Sequence, residues 1–169
     1  MKTKRLIQCA LFTAIICVIS PFSVMTGPVP VTGTLFALAL TAFCTGSMKG
    51  ATATLIYILA GIIGLPVFSG FKGGMGAIVG PTGGFVFSYV FVVLILGLCK
   101  NAKKKSTRVL LCAGALAVCY VFGIVWYMFV TKAGFMGALM LCVVPFIPFD
   151  ILKLYGAYMV SKAIEKRVK

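Results

Sequence analysis

Leu110–Val130, LLCAGALAVCYVFGIVWYMFV, carries no charged residue anywhere along its length. About 20 apolar residues in a helix cross the hydrocarbon core of a bilayer, and this run is long enough to do so. The same criterion, applied outward from it, picks out five more apolar stretches: about Leu6–Phe22, about Val31–Thr45, Ala51 to about Leu65, about Phe85–Cys99, and one from Pro145 or Pro148 to about Lys162. Val31–Thr45 is short for a span, and Gly134–Val144 reads as a short helix approaching the last one. The expectation is an all-α integral membrane protein with six transmembrane helices, and 169 residues leave no room for a second domain. Residues 1–169 are therefore expected to form a single six-helix membrane domain in the cell (plasma) membrane, multi-pass.

Composition supports this class: the chain is 62% hydrophobic and 11% charged, and contains no histidine. A net charge of +14 raises the question of nucleic acid, but a nucleic-acid binder gathers its basic residues on one soluble face. Here they lie in short groups between apolar runs, so no nucleic-acid partner is expected and the surrounding partner is the lipid bilayer. With the N-terminus in the cytoplasm, 13 of the 16 basic residues fall on the inner side, Lys72 and Lys132 fall outside, and Lys153 belongs to the last span. Both termini are then cytoplasmic. The opening MKTKRLIQCALFTAIICVIS resembles a signal peptide, but no small-residue cleavage site follows, so it reads as the first span.

Cysteines at 9, 17, 44, 99, 112, 119 and 142 lie in or beside apolar stretches and lack close metal-ligand pairs. They read as small core residues, and no metal site is expected. Without histidine, and with Asp150 and Glu165 as the only acids, acid/base and metal-assisted catalysis have almost nothing to work with. The chain is not expected to be an enzyme.

Asp150 and Lys153 stand out in PFIPFDILK, 145–153. At i and i+3 on a helix they share one face, and ionisable groups at membrane depth are costly unless they pair or meet a polar ligand. A binding site explains them; so does a structural ion pair between helices, or a lysine snorkelling to the interface. Pro145 and Pro148 suit a helix start, which places Asp150 in the first turn, favoured by the helix dipole, in an outward-opening pocket.

A second unusual stretch follows Pro66, with glycines at 70, 73, 74, 76, 80, 83 and 84. It lacks GK[ST] and is no P-loop, so the chain has no ATP site of its own. On the orientation above, this Gly-rich loop between helices 3 and 4 is outer and shares a side with Asp150. Irregular backbone near a membrane is tolerated where it lines a cavity, which predicts a substrate lid; a close-packed connector is the plainer reading.

PVPVT (28–32), YILAGIIGLPVFSGF (57–71), GGMGAIVGPTGGF (73–85) and PFIPFDILK (145–153) together resemble the BioY family, the biotin-capturing S components of energy-coupling-factor transporters. The resemblance covers nearly the whole chain in order. It implies high-affinity biotin capture as the substrate-specific subunit, six helices with both termini inside, and partnership with a transmembrane coupling subunit and two ATPase subunits. It also implies that Asp150 and Lys153 form the polar end of the biotin site. A carboxylate can accept from the ureido N–H groups while an ammonium donates to the ureido carbonyl; in the reverse pose Lys153 meets biotin's carboxylate. Tyr57, Phe71 and Phe85 are candidates for the apolar wall, Thr34 for a polar contact, and Lys72 with the amides of Gly73 and Gly74 for the carboxylate. No cofactor is implied beyond biotin as the transported ligand. Ala10 and Ala14 carry the small-xxx-small spacing with which such subunits dock on the coupling subunit.

The sequence departs from the family where a glutamine commonly follows PVPxT and Gly33–Thr34 stand here, and where Phe149 precedes Asp150 in place of a smaller residue. Phe149 is expected to crowd the pocket or stack on the ligand. A second function class stays open on the residues: an autonomous small-solute carrier or channel in which the Asp150 and Lys153 pair switches partners.

Overall fold

The computed structural model describes residues 2–24 and 29–168, with backbone alone at 2, 4 and 168. Pro28 and Lys169 lie outside the described residues, as do the side chains of Lys2 and Lys4. In chain order the elements are α1 (Lys2–Ile19), β1 (Ser23–Val24), β2 (Val31–Thr32), α2 (Thr34–Thr45), α3 (Ser47–Ile63), α4 (Met75–Val79), α5 (Gly83–Leu98), α6 (Lys105–Thr131), α7 (Phe135–Cys142) and α8 (Phe146–Val168). Each of the apolar stretches read from the sequence contains a helix, α7 is the short helix expected within Gly134–Val144, and α4 is a short addition.

Two segments are long and apolar enough to cross a bilayer, Lys105–Thr131 with mean hydropathy 2.4 and Phe135–Arg167 with 2.1; the other apolar helices are shorter. On α6 the apolar side chains of Leu110, Val121, Phe122, Val125 and Phe129 face outward. Exposed apolar surface of this extent is unfavourable in water and is what lipid tails solvate.

Val31 and Thr32 do not begin a helix. They pair antiparallel with Ser23 and Val24, with Ser23 opposite Thr32 and Val24 opposite Val31, and β-branched side chains favour that extended backbone over helix. Thr34 therefore opens α2. Gly46, at φ 83°, breaks the backbone between α2 and α3, so α3 starts at Ser47 rather than Ala51. There Ser47 Oγ donates to the Leu94 carbonyl of α5 at 2.8 Å. Gly64 ends α3 in the left-handed region, φ 114°, with its N–H returned to the Ala60 and Gly61 carbonyls.

The core lies around α2, which packs against α1, α3, α5 and α8 and buries Leu35, Ala37, Leu38, Ala39, Leu40 and Ala42. Three of those six are alanines, which bring neighbouring backbones close, and three are leucines, which occupy the space between them. Thr13 Oγ1 donates to Cys9 O at 2.8 Å and to Ala53 O at 3.1 Å, tying α1 to α3. Cys9, Cys99, Cys119 and Cys142 are buried and the other cysteines half-buried, in line with their reading as small packing residues.

Candidate ligand-binding site

A cavity of about 440 Å³ opens among α2, α3, α5, α6, α8 and the loop after α3. That volume suits a small molecule. At its polar end Asp150, 5% exposed, accepts from Lys153 Nζ on Oδ1 at 2.8 Å and from Tyr120 OH on Oδ2 at 2.8 Å. A carboxylate has about four acceptor sites, and the ammonium has further N–H groups, so both retain capacity for a ligand. Asp150 is the fifth residue of α8, not in its first turn, because the helix begins at Phe146 ahead of Pro148. The dipole advantage expected from a first-turn position does not apply, and the pair is buried against the cavity rather than set at an open mouth.

Aromatic side chains form the apolar wall. Tyr57, 1% exposed, packs edge-on against Phe68 with centroids 5.6 Å apart. Phe85 stacks on Phe146 at 6.5 Å. Each ring is seated by a glycine: a Cβ on Gly61 would collide with Phe68, and one on Gly123 with Phe85. Thr34 lines the cavity from the first position of α2.

The loop after α3 is folded rather than slack. Phe68 N–H donates to Lys72 O at 2.9 Å, Gly70 N–H to Pro21 O at 2.9 Å, and Trp126 Nε1 to Gly80 O at 2.9 Å. Nine of the 23 lining residues come from Phe68–Thr82, which makes this segment one wall of the cavity. Lys72 and Gly73 belong to that wall, and Lys72 is also exposed, as a rim residue is.

Three expectations are corrected. Gly74 does not line the cavity; its N–H is spent on Gly61 O at 2.7 Å while its φ of 84° turns the chain into α4. Phe71 is exposed, and its left-handed backbone, φ 58°, carries the ring onto Phe22 at 5.6 Å, outside the cavity. Phe149 is also exposed and absent from the lining, because it neighbours Asp150 on α8 and therefore points about 100° away around the helix.

Sequence reasoning missed Tyr120, Tyr89, Phe68 and Phe146, all lining residues. Tyr120 had one signal: a hydroxyl within the charge-free run 110–130 needs a partner at membrane depth. Ala10 and Ala14 lie elsewhere, exposed on α1 beside a groove shared with Thr52, Ile56 and Ala60 of α3.

The profile of the BioY family matches residues 1–169. The chain belongs to the BioY family. Among similar relatives, a biotin transporter BioY from Thermotoga maritima is 36% identical over 165 residues, covering 96% of each chain. A probable biotin transporter BioY from Pyrococcus horikoshii is 35% identical over 165 residues, covering 98% of each. The fold matches a crystal structure, solved at 2.1 Å, of the S-component for biotin from an ECF-type ABC transporter, with TM-score 0.86 and 22% identity over 98% of this chain and 92% of that one. This BioY family member thus has the fold of an S-component, and its family and architecture are those of a membrane protein.

Proposed function

We propose that the chain captures biotin and serves as the substrate-specific subunit of an ATP-driven energy-coupling-factor transporter, a binding and uptake role without catalysis. The observation that carries this reading is the cavity that ends in Asp150 and Lys153, with Tyr120 on the second carboxylate oxygen. A ureido group presents N–H donors beside a carbonyl acceptor, and the pair presents an acceptor beside a donor, so both bonds are charge-assisted. The bicyclic body and valeryl chain would lie along Tyr57, Phe68, Phe85 and Phe146, with Thr34 at the α2 wall. Asp150 and Lys153 compensate each other, which leaves biotin's carboxylate for Lys72 or the Gly73 amide at the loop wall. The biotin transporters among the chain's relatives support biotin as the ligand.

In this reading residues 1–169 form one membrane domain whose six transmembrane helices are α1, α2, α3, α5, α6 and α8, with both termini cytoplasmic and the loop carrying α4 outside. The chain binds no cofactor and no ATP. Energy comes from two ATPase subunits through a transmembrane coupling subunit that docks on Ala10 and Ala14, whose exposure supports a helix approaching there.

Calorimetric titration of the purified, detergent-solubilised chain with biotin tests the reading, with biotin amide, thiamine and riboflavin alongside. Saturable binding of biotin over thiamine and riboflavin is expected, weakened for the amide. A folded sample that does not bind biotin overturns it.

A further inference from the structure

Away from the cavity, the basic α5–α6 connection, KNAKKKSTR, meets the basic end of α8. Arg108 Nη1 donates to Tyr158 OH at 2.8 Å and Arg108 Nε to Ala102 O at 2.9 Å. The Arg108 guanidinium carbon lies 5.8 Å and Lys162 Nζ 5.3 Å from the centroid of the same Tyr158 ring. Two cations from different helices are thus held on one tyrosine, within a wider run of lysines, and like charges this close repel. Glu165 is the acid of this region, and among the described residues it forms no ion pair with either cation. The second Nη group of Arg108 has no acceptor among the described residues. The half-buried Arg108 and the exposed Lys162 are therefore open to an external anion.

The surroundings specify what kind. Along α8 from Lys162 toward the bilayer, Met159, Tyr155 and Ile151 recur on the face that Lys162 occupies and are exposed. A ligand that meets the cations and continues along this lipid-facing surface has an anionic head and apolar tails. We propose that Arg108 and Lys162 hold the phosphate of an anionic phospholipid, Arg108 through its unengaged Nη group and Lys162 as the second charge, with the acyl chains along the exposed face of α8 that Lys162 shares with Met159, Tyr155 and Ile151. This site is separate from the cavity and does not depend on what the cavity binds.

Native mass spectrometry of the full chain in neutral detergent tests this, using phosphatidylglycerol, phosphatidylcholine and glycerol 3-phosphate as probes. Phosphatidylglycerol is expected to stay bound, while phosphatidylcholine is lost and glycerol 3-phosphate does not compete. Arg108→Gln with Lys162→Gln should weaken retention about 30-fold. Lys103→Gln with Lys104→Gln, which removes the same charge from the neighbouring run, should change it far less. Lys162→Gln alone, at an exposed position that does not endanger folding, should weaken retention about fivefold. Equal losses in the two double variants would overturn the site in favour of diffuse attraction to a basic surface. Displacement by glycerol 3-phosphate would overturn it in favour of a soluble anion, and absence of phosphatidylglycerol on the unaltered chain would overturn it outright.

Discussion

Tyr120 donates its hydroxyl to Asp150 Oδ2 at 2.8 Å, across from α6 to α8, while Lys153 occupies Oδ1 at the same distance. The two bonds fix the carboxylate between a neutral and a charged donor before any ligand arrives. Such pre-positioning lowers the ordering cost of binding, since the acceptor does not have to be immobilised by the ligand itself.

Asp150→Asn and Lys153→Ala should each weaken biotin binding by about 2–5 kcal/mol, the usual cost of leaving the other charge of a buried pair uncompensated. Titration calorimetry on folded variants checks this. Unchanged affinity in both would remove them as ligand contacts and leave the structural ion pair.

Tyr120→Phe keeps the ring and deletes only the hydroxyl. With Oδ2 of a 5%-exposed carboxylate deprived of its donor, a loss of about 1–3 kcal/mol is expected in unfolding stability or in biotin affinity. A chemical denaturation series in detergent beside the titration reads both, and no change in either would mean that water replaces the hydroxyl.

Gly61→Ala places a methyl group against the Phe68 ring, which must move into the cavity or strain its rotamer. Destabilisation of about 1–3 kcal/mol is expected, together with weaker biotin binding as the ring intrudes. Thermal unfolding and titration of the same sample test the pair of effects.

Phe71→Ala and Phe149→Ala provide the contrast, because both rings lie outside the cavity. Their effects on biotin affinity should stay within about 0.5 kcal/mol. A larger loss for Phe149→Ala would place that ring on the ligand after all.

Ala10→Trp, at an exposed position of α1, should spare biotin binding and abolish uptake by the assembled transporter, because a bulky side chain blocks close helix approach. Binding by titration and uptake in cells carrying the coupling subunits separate the two. Proton-dependent uptake by the chain alone in liposomes would instead favour the autonomous carrier.

Helix-forming stretches were legible because lipid leaves little choice: a long apolar run must satisfy its own backbone hydrogen bonds, so composition and length determine the helix. Asp150 and Lys153 were legible for a related reason, since charges in such a run stand out and their i, i+3 spacing puts them on one face. Tyr57, Phe85, Thr34, Lys72 and Gly73 were placed through resemblance to the BioY family, and they do share the cavity. Whether an aromatic side chain faces that cavity or lipid was not legible: Phe68 and Phe71 stand three residues apart in one glycine-rich segment, and only the turn tied by Phe68 and Lys72 sends one ring inward and the other onto Phe22. The sequence by itself determined the helices and the charge pair, which depend on local spacing and the cost of bare polar groups in lipid. Only the tertiary structure decided that Tyr120 completes the carboxylate and that Gly74 spends its amide on Gly61, because those partners lie 30 and 13 residues away and meet through packing that no local pattern encodes.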